Sequence, residues 1–244
     1  MNRTIFALTL RQFFGQKRSL LLLLLALVPL GVALIYRAGD QLNPHDWTAN
    51  VLLDRIVITT VLPLACLIFG TSAFGSEIED GTAVYILAKP VPRGQIVVAK
   101  FAAASLAVAL FIVPAAALSG LIALQGVSGQ GIATGFALAT LLGVAAYSGV
   151  FVLLSVVSSR ALIFGLVYVF IWEGIVTDLF SGTRWVSIRQ YCLGVADLVS
   201  SVRKDDFSAD LNGVAAFVLI AWVTLTALVL ATRRLQRLEL TETD

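Results

Sequence analysis

The sequence predicts an all-α polytopic membrane protein with six transmembrane helices, forming a single transmembrane domain over residues 1–244. Two observations carry this prediction. Hydrophobic residues make up 59% of the chain and charged residues only 13%, whereas soluble domains average about 45–50% and about 25%. The chain also contains long runs without any charge, and its mean hydropathy is +0.93. A soluble core of this length cannot bury so much apolar surface, so lipid must cover the remainder.

The predicted spans are runs of about 20 mainly apolar residues, the length that crosses a hydrocarbon core. The first run follows Lys17 and Arg18 but has no signal-peptide cleavage site after it, so we interpret it as a helix retained in the chain. Residues 101–159 carry no charge and are too long for one crossing. The Gly-rich stretch 125–131 divides them into a helical hairpin. The six predicted spans are 20–36, 56–76, 101–124, 132–157, 161–180 and 211–232.

The distribution of basic residues predicts the orientation of the bundle. An even number of spans places both termini on one side of the membrane. Eleven of the 17 Lys and Arg residues lie in the segments on that side, and four of them precede the first span. Because cytoplasmic segments carry an excess of Lys and Arg, we expect both termini to be cytoplasmic.

Two further segments are predicted to lie at the membrane surface. Residues 2–18 place apolar side chains on one helix face, which indicates a helix in the cytoplasmic interface. Residues 181–210 mix apolar, aromatic and charged side chains and are too polar to cross. Since Trp and Tyr suit the headgroup layer, we interpret this stretch as an outer amphipathic or re-entrant segment.

The cytoplasmic connection 77–100 has its own pattern of helix and turn signals. Ser76 and Glu79 have the spacing of a capping box, and Asp80-Gly81-Thr82 marks a turn. The short apolar run 83–88 then predicts a helix that the Lys89-Pro90 pair ends. The sequence offers no soluble domain to cover this apolar helix, so a partner groove or the bilayer surface must do so.

This connection resembles that of the ABC-2 type permeases, the transmembrane subunits of ATP-binding-cassette transporters. The six spans, the interfacial N-terminal helix and the amphipathic segment before the last span are similar as well. The resemblance therefore covers the whole chain, although the large outer domain of some relatives is missing. The matching residues of the connection are Glu79, Asp80, Gly81, Thr82, Leu87, Pro90, Pro92, Arg93 and Lys100.

The resemblance implies the architecture of a type V ABC exporter in the bacterial inner (plasma) membrane. It implies a homodimer or a related heterodimer of permeases, with two copies of a cytoplasmic ABC ATPase that hold ATP and Mg. The helix of the connection would be the coupling helix, with Asp80, Tyr85 and Arg93 framing the contact with the ATPase. The outer re-entrant segment would close the translocation path. Transport would be export, and this chain would carry no catalytic, cofactor or metal site.

The residues themselves agree with a separate ATPase. No GxxxxGK[ST] loop, whose backbone amides would cradle phosphates, occurs in the 244 residues. One histidine and two distant cysteines predict neither a metal site nor a disulfide framework. The net charge of +2 does not indicate a nucleic-acid partner. A GxSG sequence at Gly126–Gly129 is interpreted as a turn, because its serine needs a base and His45 is placed in an outer loop.

Charged residues near the membrane give one further candidate. Glu173 lies in the fifth predicted span, where a carboxylate is costly and marks a functional site by default. It would line the translocation path, or it would make an interhelical hydrogen bond near the outer interface. Asp54 and Arg55, at the outer start of the second span, are expected to face headgroups.

Two other functions stay open at this point. A membrane-embedded lipid-modifying enzyme would need clustered acids or histidines at the interface, and the only acidic cluster, 77–80, lacks the spacing of a metal-binding set. A membrane assembly subunit without transport is the second alternative. Association with an ATPase would separate the permease from both.

Overall fold

The computed structural model describes residues 3–14, 18–39, 43–79, 92–179, 181–200 and 207–237, and these ranges contain helices and turns but no strand. Two helices include π-helical stretches, which are rare in proteins and frequently lie at functional sites. We number the helices in chain order. They are α1 (Arg3–Phe14), α2 (Arg18–Ala38), α3 (Pro44–Asp46, the π-helical Trp47–Val61 and Leu62–Glu79), α4 (Arg93–Ala123), α5 (Ile132–Val157), α6 (Ala161–Val167, the π-helical Tyr168–Val176 and Thr177–Leu179), α7 (Ile188–Val199) and α8 (Gly213–Arg237), with a 3₁₀ turn Ser181–Val186 before α7.

Five of the described helices are long and apolar enough to cross a membrane, and they belong to α2, α3, α4, α5 and α8. The fifth predicted span corresponds to Ala161–Val176, an apolar helix shorter than the others. The all-α polytopic membrane fold is therefore confirmed, while the sixth crossing stays a prediction.

Three spanning helices extend beyond the predicted spans. α3 begins at Pro44 instead of residue 56, α4 begins at Arg93 instead of residue 101, and α8 continues to Arg237. The 31 residues of α4 give a helix of about 46 Å, longer than a hydrocarbon core of about 30 Å. The apolar run marks only the part of each helix that lipid covers, and the helix continues into the polar layer.

The bundle has two ends, which we name by what lies there. The hairpin end contains the turn 124–131 between α4 and α5. There the Arg37 guanidinium, near the end of α2, donates to the Gln125 carbonyl over 2.6 Å, and Tyr36 stacks on Trp47 with ring centroids 3.7 Å apart. At the opposite end, which we call the termini end, the start of α4 meets the end of α8. A Cβ on Gly94 would lie 3.5 Å from Thr232.

α5 is the central helix of the bundle. It packs against α3, α4 and α8 and against the short helix α7. Its bulky side chains Phe136, Tyr147 and Phe151 are fully buried, and small residues between them allow close approach by the neighbours. The short helix α7 thus lies inside the bundle at its hairpin end.

Candidate functional site

The short helix α7 is seated on α5 and α8 at the hairpin end. Residues 188–196 of this helix are all buried. Two glycines of α5 make room for it: a Cβ on Gly135 would lie 2.8 Å from the Ala196 carbonyl oxygen, and one on Gly143 would lie 2.7 Å from Cys192 Sγ. Any larger residue at either position would push α7 out of this seat.

The carboxylate of Glu173 faces the start of α7 and is completely buried. Its Oε1 accepts from the Tyr168 hydroxyl over 2.8 Å and from the Ile188 backbone N–H over 2.9 Å. Its Oε2 accepts from the Ser187 hydroxyl over 2.5 Å and from the Arg189 backbone N–H over 3.4 Å. Both oxygens therefore act as acceptors, and both bind α7 directly.

This arrangement caps the N-terminus of α7 twice. The first N–H groups of a helix have no partner within it and carry a partial positive charge. Ser187, the N-cap residue, accepts from the Gln190 N–H over 3.3 Å, and Glu173 accepts from the N–H groups of Ile188 and Arg189, the first two of the helix. The acid of α6 thereby satisfies donors that would otherwise be buried without acceptors.

A second connection joins α7 to α3. Arg189 donates through Nε and Nη2 to the two carboxylate oxygens of Asp54, each over 2.9 Å. Both side chains are about nine-tenths buried, at 9% and 11% exposed. Thr59, also on α3, donates to Asp54 Oδ1 over 3.3 Å. Two-point pairing of this kind fixes the orientation of both side chains as well as their distance.

The expected placement of Asp54 at lipid headgroups is wrong. α3 starts twelve residues before the predicted span, so Asp54 lies within the helix and faces α7, while its neighbour Arg55 is exposed. Arg189 was not predicted as a functional residue. The only sequence signal for the pair is a basic residue in an amphipathic outer segment and an acid beside an apolar span.

The 3₁₀ turn before α7 is also attached to the bundle. The Trp172 indole N–H donates to the Val186 carbonyl over 3.3 Å, and the Tyr191 hydroxyl donates to the Trp185 carbonyl over 2.5 Å. Burial, and then the nearby Glu173 carboxylate, raise the pKa of Tyr191, which keeps this phenol protonated as a donor. We call Asp54, Glu173, Ser187 and Arg189 the α7 clamp, because together they hold the short helix to α3 and α6.

Two roles are predicted for Glu173, and this conformation contains one of them, the hydrogen bonds between helices. Its carboxylate contacts α7 and Tyr168 and reaches no solvent. Lining of a translocation path by Glu173 stays a prediction, and it would require α7 to move away.

The predicted coupling residues lie mainly outside the described residues. Asp80, Gly81, Thr82, Tyr85, Leu87 and Pro90 belong to the stretch 80–91, which the structure does not describe. Glu79 is the last residue of α3, and Arg93 is the first residue of α4. Their roles at an ATPase contact stay predictions.

The helices that flank this stretch are joined by Lys100, whose side chain is only 1% exposed. Its Nζ donates to the Ala73 carbonyl of α3 and lies 4.3 Å from the centroid of the Phe74 ring. A buried ammonium needs such partners, because an uncompensated charge is costly in an apolar environment. Lys100 therefore fixes the start of α4 against the end of α3.

The GxSG turn meets the histidine of the chain through its backbone. His45 Nε2 donates to the carbonyl oxygen of Ser128 over 2.7 Å. A serine nucleophile needs its hydroxyl against the base, and here the carbonyl occupies that position. The contact ties the turn to the start of α3.

The chain matches the ABC-2 family transporter protein over residues 16–175. No curated protein matches it. The match covers about two-thirds of the chain, from the start of α2 through Glu173, and it ends before α7. Members of this family are transport components of the membrane and are not themselves catalytic. The chain belongs to the ABC-2 family of transporter proteins and is a membrane permease component of an ABC transporter.

Proposed function

We propose that this permease exports its substrate by coupling to a separate ABC ATPase that binds ATP and Mg, in an assembly of two permeases and two ATPase subunits. The residues 77–100 are the coupling segment, and both termini face the cytoplasm. The observation that supports this most directly is the Lys100 junction between α3 and α4, the two helices from which the coupling segment leaves and to which it returns.

A rigid junction at this position suits the transmission of force. A load applied to residues 80–91 by a moving ATPase reaches α3 and α4 together, because Lys100 holds them against each other. Without the junction the same load would bend the connection and leave the bundle unmoved. The junction lies at the termini end, on the side where the basic residues predict the cytoplasm.

α3 also connects the coupling segment to the α7 clamp. The helix carries Phe74 beside Lys100 at one end and Asp54 beside Arg189 at the other. Asp54 and Phe74 are twenty positions apart on the helix, a distance of about 30 Å, which is the thickness of the hydrocarbon core. We propose that displacement of α3 during the ATP cycle loosens the Asp54–Arg189 pair and lets α7 open the path at the hairpin end.

The test begins with a photo-crosslinking residue at position 85, in the middle of the coupling segment. The control carries the same residue at position 127, an exposed site in the turn of the hairpin end. We expect position 85 alone to crosslink to a protein, and mass spectrometry to identify that protein as an ABC ATPase. Crosslinking from position 127 to the same ATPase would place the coupling segment elsewhere and contradict the proposal.

The identified ATPase then permits a functional measurement. ATP hydrolysis of the reconstituted complex is compared for the wild type, for Ala83→Asp/Leu87→Asp in the coupling segment, and for Val127→Asp as the control. We expect the coupling variant to insert normally, to lose ATPase binding and to lose stimulation of hydrolysis, while the control retains both. Full stimulation in the coupling variant would refute the proposed role of residues 77–100.

A further inference from the structure

A cavity of about 340 Å³ opens between α5 and α8 at the termini end. It is separate from the α7 clamp, which lies at the hairpin end. Apolar side chains of both helices form one part of its lining, and three arginines in the last turns of α8 form the other. The lining residues are Leu153, Val157, Leu230, Arg233, Arg234 and Arg237.

The relative height of the two helices explains this division. A Cβ on Gly149 of α5 would lie 3.6 Å from Ala227 and 3.7 Å from Thr224 of α8. The two helices run in the same direction, since residues further along each also meet at the cavity. At equal rise per residue, Val157 is level with Arg233. α5 ends at Val157 whereas α8 continues to Arg237.

The lining of the cavity therefore changes from apolar to basic along the membrane normal. Leu153 and Leu230 lie about one helical turn deeper in the bilayer than the end of α5. The arginines lie at and beyond the end of α5, where the apolar core gives way to the interface. Arg237 follows Arg233 by four residues and Arg234 by three, so it neighbours both of them on the helix surface.

The arginine side chains present positive charge to this opening. Arg233 and Arg234 are exposed, and neither forms an ion pair with any residue in the described part of the chain. Guanidinium groups bind phosphate oxygens through two parallel hydrogen bonds. A basic pocket between helices at the membrane surface is the arrangement that recognises anionic lipid headgroups.

We propose that this cavity binds one anionic phospholipid, with its phosphate held by Arg233 and Arg234. An acyl chain of the lipid lies along Leu153, Val157 and Leu230. A free phosphate would use the same arginines but would leave this apolar wall uncovered. The site is independent of ATP-driven transport, so the lipid proposal and the permease mechanism can fail separately.

The test uses the full chain in detergent and measures retained lipid by native mass spectrometry. Phosphatidylglycerol and phosphatidylcholine with the same acyl chains are added in turn, and inorganic phosphate and glycerol phosphate serve as soluble anions. The variant Arg233→Gln/Arg234→Gln is compared with Arg11→Gln/Arg55→Gln, which removes two exposed arginines that do not line the cavity. Val157→Trp fills the apolar wall without changing charge.

We expect one phosphatidylglycerol to bind in preference to phosphatidylcholine. At about fivefold per basic residue, Arg233→Gln/Arg234→Gln weakens binding about 25-fold, and the control variant leaves it within about twofold. Val157→Trp also weakens it. Three results would overturn the proposal: equal retention of the two lipids, an equal loss of phosphatidylglycerol binding in the control variant, or retention of inorganic phosphate to the same extent as phosphatidylglycerol.

Discussion

Replacing Glu173 tests how the α7 clamp holds the short helix. Glu173→Gln keeps the side-chain volume but changes one acceptor oxygen into an NH₂ donor. In the position of Oε2, this donor meets the Ser187 hydroxyl, which can rotate to accept, and the Arg189 N–H, which cannot. One buried N–H then lacks an acceptor, a loss of about 1–3 kcal/mol in the free energy of unfolding.

Glu173→Ala removes the acceptor from two backbone N–H groups, those of Ile188 and Arg189, and also leaves a cavity. We expect about twice the loss of Glu173→Gln, or roughly 2–6 kcal/mol from the N–H groups alone. Two measurements report it. Thermal unfolding in detergent, followed by tryptophan fluorescence, gives the overall loss. Hydrogen exchange of residues 188–199 reports whether α7 itself has loosened.

The matched control is Asp210→Asn, at another acid of the hairpin end. Its ion pair with Arg184 spans 2.7 Å, but the two side chains are 34% and 55% exposed, and such surface pairs contribute about 0–1 kcal/mol. We expect a small change in stability and unchanged exchange in α7. If Glu173→Ala left both the unfolding midpoint and the exchange of α7 at wild-type values, the carboxylate would not hold the helix.

Three further outcomes follow from the same geometry. Asp54→Asn and Arg189→Gln should each cost about 3–5 kcal/mol, and the double variant less than their sum in thermal unfolding; strictly additive losses would contradict direct pairing. Gly143→Ala should lower the free energy of unfolding by about 1–3 kcal/mol, because the new Cβ would lie 2.7 Å from Cys192 Sγ. The control Gly31→Ala should not lower it, because no atom of a neighbouring element lies within 4 Å of a Cβ there. Similar unfolding midpoints for the two variants would refute the close packing of α7 on α5. Burial raises the pKa of the Cys192 thiol, so less of the reactive thiolate exists at any given pH. Maleimide at pH 8 should therefore label Cys192 only after denaturation, whereas the cysteine of the control Val127→Cys should be labelled in the native state. Rapid labelling of Cys192 in the native state would contradict its burial.

The class of fold was predictable because lipid imposes a strong and local constraint. Runs of about 20 apolar residues indicate spanning helices without any knowledge of the neighbours. The turn 125–131 was equally predictable, since glycine and polar residues interrupt a long apolar stretch. What such local signals cannot give is where a helix continues outside the hydrocarbon, as α3 and α4 do.

The α7 clamp could be predicted only in part. Glu173 was identified because an acid within a span is costly and calls for a partner. Its partners, and the Asp54–Arg189 pair, depend on contacts between residues far apart in the chain, 135 positions for the pair. The sequence predicts Asp54 at the headgroups because the uncharged run begins only at residue 56. Pairing with Arg189 removes that constraint and lets an acid lie within α3.

The most direct test of the mechanism follows α7 while the ATPase works. Hydrogen exchange of residues 188–199 is measured in the permease mixed with the ABC ATPase that crosslinking identified, without nucleotide and after trapping with ATP and vanadate. We expect nucleotide to increase exchange in the wild type, and to leave it unchanged in Ala83→Asp/Leu87→Asp. Identical exchange with and without nucleotide in a wild-type complex that hydrolyses ATP would contradict the link between the coupling segment and the α7 clamp.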